Sequence, residues 1–509
     1  MKESPTLRPG DSEPPPPTSI GDSLRHGAGW LFLGSTGNRI LGFLFGIVIA
    51  RLLAPEVFGM LVAIQIFTGL VGFFVGGGMG QALVRAKEVD RRDYDVVFTL
   101  QFIIGCLVYA GFFFGAPSFA AWYKTPLYAE LLRVSALSFV LRPFVNLPGN
   151  ILFRQMRFKA QTHVNVISLC ATSAVSIIMA FFGLGVWSLV VGGLAGSLAS
   201  AVMLMPLAAW RPRLSFQWSR GRDLARYGIL VTAGDLIVYL RNQASNFVVS
   251  KTLGAHALGL FNKANSLALI PQSITASVYQ VTFRALAKEQ DNLDLSKYLF
   301  LRSITLVGVY TWPAFLALAW LALPLVRSLY GDKWVNVAGP LTCFSIAGPF
   351  VMMEMLAGSV LAARNWLDRE IPVQISILVV VVLGTISGLP YGLLGVAIGA
   401  SLASIYGALH MSWLAARCLS MPMRRVASAL LIPLVLNLPV LALWMVMDHL
   451  FMLRSKYGDF LYLLFMLSAG GLLFALLFFL APIPSISSEQ QRWRRLFAKT
   501  FVQIFRAWA

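Results

Sequence analysis

Val48-Ile-Ala-Arg-Leu-Leu-Ala-Pro-Glu-Val-Phe-Gly-Met60 lies over Val248-Val-Ser-Lys-Thr-Leu-Gly-Ala-His-Ala-Leu-Gly-Leu260 at an offset of 200 residues. Val48 meets Val248, Arg51 meets Lys251, Leu53 meets Leu253 and Gly59 meets Gly259. A little further on, Gln81-Ala-Leu-Val-Arg85-Ala86 resembles Gln280-Val-Thr-Phe-Arg284-Ala285, with the offset slipped by one. Both copies begin at the link between one long apolar stretch and the next. The chain therefore reads as a duplication, and the number of apolar stretches in each copy decides how the copies are oriented.

Those stretches dominate the composition. Of 509 residues, 57% are hydrophobic and 12% charged, against about 25% charged in a soluble domain. A run of about 20 apolar residues is what a helix needs to cross hydrocarbon, where each backbone N–H and C=O must be satisfied within the segment. Fourteen spans are expected at about 27–50, 56–84, 95–116, 127–148, 162–182, 186–207, 225–249, 257–283, 300–325, 337–362, 371–389, 391–416, 427–447 and 459–481. The offset carries six spans. Six is even, so both copies enter the membrane from the same side, and the repeats are parallel about an axis along the membrane normal. The fold class expected is an all-α polytopic membrane protein: two parallel six-helix repeats around a central cavity, plus two extra C-terminal helices.

The expected units are a disordered cytoplasmic tail (1–26), an N-terminal bundle (27–207), a basic cytoplasmic linker (208–224), a C-terminal bundle (225–417), two additional spans (427–481) and a basic amphipathic interfacial helix (486–509). A second interfacial segment is expected at Ile151–Lys159. The net charge of +19 does not point to nucleic acid, because the basic residues alternate with the spans. Arg85, Lys87, Arg91, Arg211, Arg213, Arg284, Arg417, Arg424 and Arg495 fall on one side. So do Arg92, Arg154, Arg157, Lys159, Arg220, Arg222, Arg226, Lys288, Lys297, Arg364, Arg369, Arg425, Arg492, Arg494, Lys499 and Arg506, whereas the other side holds few: Arg51, Lys124, Lys251, Arg327, Lys333, Arg454 and Lys456. The positive-inside rule then puts both termini in the cytoplasm. The C-terminal stripe of Trp493, Phe497, Phe501 and Trp508 beside Arg492, Arg495 and Lys499 suits an anionic lipid surface. The cysteines, Cys106, Cys170, Cys343 and Cys418, have no metal-ligand spacing, and no metal or cofactor is expected.

Ionisable groups inside spans are expensive and usually face a cavity. The candidates are Asn38 and Arg39 in span 1, Arg142 in span 4, Asp235, Arg241 and Asn242 in span 7, Lys263 in span 8 and Glu354 in span 10. Cations outnumber acids. Such a cavity suits an anionic cargo such as a pyrophosphate, which the planar fork of arginine binds bidentately. Arg39, Arg241, Lys263, Arg142, Asn38 and Asn242 are the expected cargo-binding set, with Asp235 and Glu354 as candidates for ion coupling. Structural readings stand beside these: Arg142 lies towards a span end, Asp235 pairs with Arg241 or Arg39, Lys263 sits near the outer interface, and Glu354 satisfies a neighbouring helix.

The chain resembles the polysaccharide-transporter branch of the multidrug/oligosaccharidyl-lipid/polysaccharide exporter superfamily, and within it the Wzx-type, WzxC-like flippases. The resemblance covers about 27–420. It rests on Ala50-Arg-Leu-Leu-Ala-Pro-Glu-Val-Phe-Gly59, Tyr128-Ala-Glu-Leu-Leu-Arg-Val-Ser-Ala-Leu-Ser138, Phe153-Arg-Gln-Met-Arg-Phe-Lys159, Gly183-Leu-Gly-Val-Trp-Ser-Leu189, Trp210-Arg-Pro-Arg213 and Ala257-Leu-Gly-Leu-Phe-Asn-Lys-Ala264. It implies a bacterial inner-membrane flippase that moves an undecaprenyl-pyrophosphate-linked oligosaccharide to the periplasmic leaflet, with a polysaccharide polymerase and chain-length machinery as partners. Two rival readings remain open. A drug or metabolite antiporter of the same superfamily commonly carries an acid in its first span; here that span holds Asn38 and Arg39 and no carboxylate. A membrane polymerase or glycosyltransferase needs a sizeable external loop with paired acids, and the loops are short. The expectation is a transporter, not an enzyme.

Overall fold

A computed structural model describes residues 20–76, 79–80, 83, 89–216, 236–289, 292–451, 453–481, 483 and 486–495, and every regular element among them is helical. The first series is α1 Ile20–Leu52, α2 Pro55–Gly76, α3 Arg91–Tyr123, α4 Leu127–Arg154, α5 Phe158–Phe181 and α6 Val186–Leu207. The second is α7 (236–252), α8 Gly254–Ala268, α9 Gln272–Lys288, α10 Leu293–Trp320, α11 Ala322–Tyr330, α12 Ala338–Ala363, α13 Leu367–Gly388 and α14 Gly392–Cys418. Then follow α15 Met423–Phe451, α16 Leu453–Leu480 and a short α17 (486–495). Among the described residues, 10 helical segments are long and apolar enough to cross a membrane, and one of them, Leu367–Cys418, holds both α13 and α14. This is a multi-pass, all-α membrane protein.

Without a hydrophobic drive between helices in lipid, small residues set how closely they pack. Within the first half, α5 meets α6 at Gly192 and Gly196, which face Ser176, Thr172 and Ser168; Ser168 Oγ donates to the Gly196 carbonyl at 2.9 Å. In the second half the corresponding pair, α13 and α14, meets at Gly384 and Gly388 against Gly399 and Gly395, backbone on backbone. Between the halves, α2 packs on α8. A Cβ on Gly59 would strike the Ala255 carbonyl, and one on Gly259 would strike the Pro55 carbonyl. Positions 55 and 59 thus meet 255 and 259 reciprocally, as a two-fold axis between parallel repeats requires.

The two added helices dock on the second half. Trp320 Nε1 donates to Asp448 Oδ2 at 3.0 Å, and the Tyr462 hydroxyl donates to Asp448 Oδ1 at 2.6 Å. Trp444 is buried, donates to the Met466 carbonyl at 2.8 Å and packs over Gly470. The described part of the C-terminal helix lies against α10: Trp493 Nε1 donates to the Tyr310 hydroxyl at 2.9 Å, and Arg302 lies 3.6 Å from Glu489.

Some expectations change. α1 begins at Ile20, so 20–26 of the expected tail is helical, while 1–19 lies outside the described residues. The segment Ile151–Lys159 is not a separate interfacial helix. α4 runs on to Arg154, Met156 turns the chain with φ 54, and α5 starts at Phe158. Its basic residues tie helix ends: Arg154 donates to the Leu83 carbonyl and Arg157 to that of Leu207, both at 2.6 Å. The expected span 257–283 is two helices broken at Leu269–Pro271, where proline has no N–H for an intrahelical bond. Of the linker, Trp210 is buried with Nε1 3.2 Å from Asp95 Oδ1; residues 217–224 lie outside the described set.

Replacing Gly59 or Gly259 by leucine forces α2 from α8. Each change is expected to destabilise the fold by about 1–3 kcal/mol, the usual range for overpacking, and equally at the two positions. The check is the melting temperature of detergent-solubilised protein. Gly59→Leu with unchanged melting would show that the backbones do not meet there.

Candidate functional site

The last turns of α1 press on the opposite half. Ala50 is fully buried, and its carbonyl accepts Trp334 Nε1 at 2.8 Å. Eleven residues are about three helical turns, so Arg39 lies on the face of α1 that carries Ala50. Yet Arg39 is exposed. Along one face, α1 passes from a buried contact with the second half at Ala50 to an exposed side chain at Arg39. Asn38 is half-buried beside it, and its Oδ1 has no hydrogen-bond partner among the described residues.

The repeat counterpart of Arg39 is Tyr239. Its hydroxyl crosses to the first half, 3.0 and 2.9 Å from the carbonyls of Gln65 and Ile66, against Gly69. One turn along α2, Arg142 Nη1 donates to the Gly72 carbonyl at 2.8 Å while its guanidinium lies 5.4 Å from the Phe139 ring centroid. At about 1.5 Å per residue, Arg39, Tyr239 and Arg142 all lie roughly 20 Å from the α1–α2 end. By depth along the helices they belong to one polar layer. Tyr239 was not singled out from sequence, although its offset from Arg39 was a usable signal.

Arg241 turns elsewhere. Its Nη1 is hydrogen-bonded and ion-paired to Glu354 Oε1, and bonds Gln374 Oε1 at 2.8 Å. Gln374 Nε2 in turn donates to Glu370 Oε1 at 3.1 Å. The pair is largely buried, with side chains 17% and 12% exposed, and α14 passes it at Gly407, where a Cβ would stand 3.3 Å from Glu354 Oε2. This network joins α7, α12 and α13 within the second half. Asn242, next along α7, is exposed. Asp235 lies outside the described residues.

Lys263 stands among aromatic rings. Its Nζ is 4.3 Å from the centroid of Tyr330, 5.4 Å from Phe58 and 5.6 Å from Trp334. Phe58 belongs to α2, so this cation–π cage spans both halves at their closed end. Arg39 and Lys263 are therefore at different levels of the molecule. Among the described residues no group of three or more His, Cys, Asp or Glu is arranged to hold a metal.

Comparisons with known proteins bear on this arrangement. A family model described as polysaccharide biosynthesis protein matches residues 48–339. The chain is similar to the succinoglycan biosynthesis transport protein ExoT of Rhizobium meliloti (strain 1021), with 25% identity over 62% of this chain and 65% of that protein, just under two thirds of its length. It is also similar to the lipopolysaccharide biosynthesis protein WzxC of Escherichia coli (strain K12), with 23% identity over 83% of this chain and 87% of that one. Among solved structures it superposes on the lipid II flippase MurJ in an inward closed conformation, with a TM-score of 0.72 at 16% identity over 88% of this chain and 97% of that one. An inward-facing multidrug resistance MATE family transporter matches with a TM-score of 0.60, at 16% identity over 74% of this chain and 94% of that one. These structural likenesses establish the fold.

The buried Arg241–Glu354 pair makes a sharp prediction. Glu354→Ala leaves a buried guanidinium without its counter-charge and should destabilise the protein by about 3–5 kcal/mol. The double change Arg241→Met with Glu354→Leu should recover most of that loss. A double-mutant cycle on thermal unfolding in detergent measures the coupling; additive effects would mean the pair contributes nothing jointly.

Proposed function

The chain belongs to the polysaccharide biosynthesis protein family, and from that premise we propose that it is a flippase for an undecaprenyl-pyrophosphate-linked oligosaccharide repeat unit. The cargo moves from the cytoplasmic to the periplasmic leaflet of the bacterial inner membrane, for assembly of a surface polysaccharide. The names of its relatives support this reading: one is a biosynthesis transport protein for succinoglycan, another a lipopolysaccharide biosynthesis protein. The fold it shares with a lipid II flippase supports it too.

The observation that carries the proposal is the state of Arg39: a mid-depth arginine on the face of α1 that ends in the cross-half contact at Ala50, but itself open. A guanidinium binds phosphate oxygens through two parallel hydrogen bonds. In this proposal Arg39 receives the pyrophosphate, with Asn38, Arg142 and Asn242 completing the polar layer. Arg241 joins only when Glu354 releases it, which makes Glu354 the candidate for coupling to protons; Asp235 keeps its candidacy on sequence position alone. Lys263 belongs to the closed end rather than to first contact. The units proposed are the bundles 27–207 and 225–417, with 427–481 as an appendage. The basic sides of the helices, including the 208–224 linker and both termini, face the cytoplasm. The protein acts as a transporter, not an enzyme, beside the polymerase and chain-length machinery that use the translocated unit.

Arg39→Ala is expected to weaken cargo engagement about 10–100-fold, the equivalent of one charge-assisted contact, while membrane insertion stays normal. Polymer export in a strain lacking the native gene is the readout, with Arg39→Lys retaining partial export. Full export by Arg39→Ala would remove this residue from the site.

A further inference from the structure

Arg51 and Lys251, the matched basic pair of the duplicated segment, remain outside the polar layer. Each is the penultimate residue of its helix, α1 and α7. Arg51 crosses to the second half, where Nε donates to the Leu329 carbonyl at 2.8 Å and Nη2 to that of Ser328 at 2.7 Å. Both carbonyls are in the last turn of α11. Lys251 crosses the other way: Nζ donates to the Trp122 carbonyl at 2.5 Å, in the last turn of α3, and lies 4.8 Å from the Trp122 ring centroid. A helix C-terminus carries carbonyls with no intrahelical partner and a partial negative charge. Each half therefore caps a helix end of the other with its own cation.

The residues one position earlier repeat the exchange. The Ala50 carbonyl takes Trp334 Nε1 at 2.8 Å, while Ser250 Oγ is 3.0 Å from the Tyr123 hydroxyl. Five hydrogen bonds at two matched pairs of positions thus cross between the halves at the α1–α2 end. The cations grip carbonyl oxygens and an aromatic ring. Parting them exposes groups that water solvates readily, so the contact is suited to breaking and re-forming.

We propose that Arg51 and Lys251 form a two-sided clasp that holds the α1–α2 end shut and sets the balance between its closed and open states. The proposal rests on the transporter reading, because an end that never opens needs no reversible fastening. Two separate caps make opening a two-step loss, each step favoured by removing one cation. Both residues are exposed, so the clasp should weaken as salt rises.

The test is a distance measured without cargo. Spin labels are placed at Leu184→Cys in the α5–α6 link and Tyr391→Cys in the α13–α14 link, both exposed, in full-length protein lacking its four native cysteines. Arg51→Gln or Lys251→Gln should each raise the open-to-closed ratio about fivefold, and the double variant about 25-fold. The exchange Arg51→Lys with Lys251→Arg keeps both cations and should keep the closed distance. An unchanged distance distribution in the double variant, with unchanged melting temperature, overturns the clasp. The distance does not depend on cargo, so a clasp that opens as expected in a protein that moves no glycan would sink the functional reading alone.

Discussion

The backbones of α2 and α8 touch. That contact requires glycine at 59 and 259, because each glycine lies under a carbonyl of the opposing helix. In lipid, helices gain little from burying apolar surface against one another, so close packing and polar contacts between them must hold the halves together. With the helices this close, Phe58 of α2 reaches Lys263 and Trp334 of the second half, and the Ala50 carbonyl reaches Trp334. Wider spacing between α2 and α8 would dismantle the cage and separate the helix ends from their caps. The polar layer depends on the same contact, since Tyr239 meets α2 only because α7 leads directly into α8.

Charge is distributed unequally between the two halves. In the second half, Arg241 has a carboxylate and an amide as partners inside its own bundle. In the first, Arg142 has a carbonyl and a ring, and Arg39 is exposed. Pairing a cation with a carboxylate inside a bundle neutralises it, and the field such a pair projects is short-ranged. A cation held by a carbonyl keeps its full charge. Among the described residues, the cations of the polar layer that lack a carboxylate partner, Arg39 and Arg142, are on α1 and α4 of the first half.

Much of this was legible in the sequence. Span lengths follow from the need to satisfy every backbone group within the segment, and the copy at 48–60 and 248–260 announced the duplication and its parallel sense. The destination of each cation was less legible. Arg241 and Glu354 are more than a hundred residues apart, and no local pattern announces a partner at that range. Lys263 reads as a cavity cation because sequence shows its charge and hides its cage, whose rings come from three separate elements. The segment at Ile151–Lys159 mixes basic and apolar residues as an interfacial helix would, but a helix end does the same when its arginines cap neighbouring carbonyls. The break at Pro271 was visible as a proline, though proline alone does not separate a kinked span from two helices.

The repeats agree at the α1–α2 end and differ deeper along the same helices. Positions 51 and 251 are both basic, 55 and 255 are both compact, and 59 and 259 are both glycine; all lie at the closed end. Twenty ångströms or so along the same helices, position 39 is arginine and its counterpart 239 is tyrosine. A joint between two copies about an axis needs matching parts, because each surface must fit its own equivalent. A binding site has no such requirement: a lipid headgroup has one phosphate end and one sugar end, and a symmetric site would offer the same chemistry to both. Arg39 and its counterpart Tyr239, whose hydroxyl is held by the Gln65 and Ile66 carbonyls, give the proposed cargo site unlike groups at matched depths. That asymmetry suits an anion followed by a sugar.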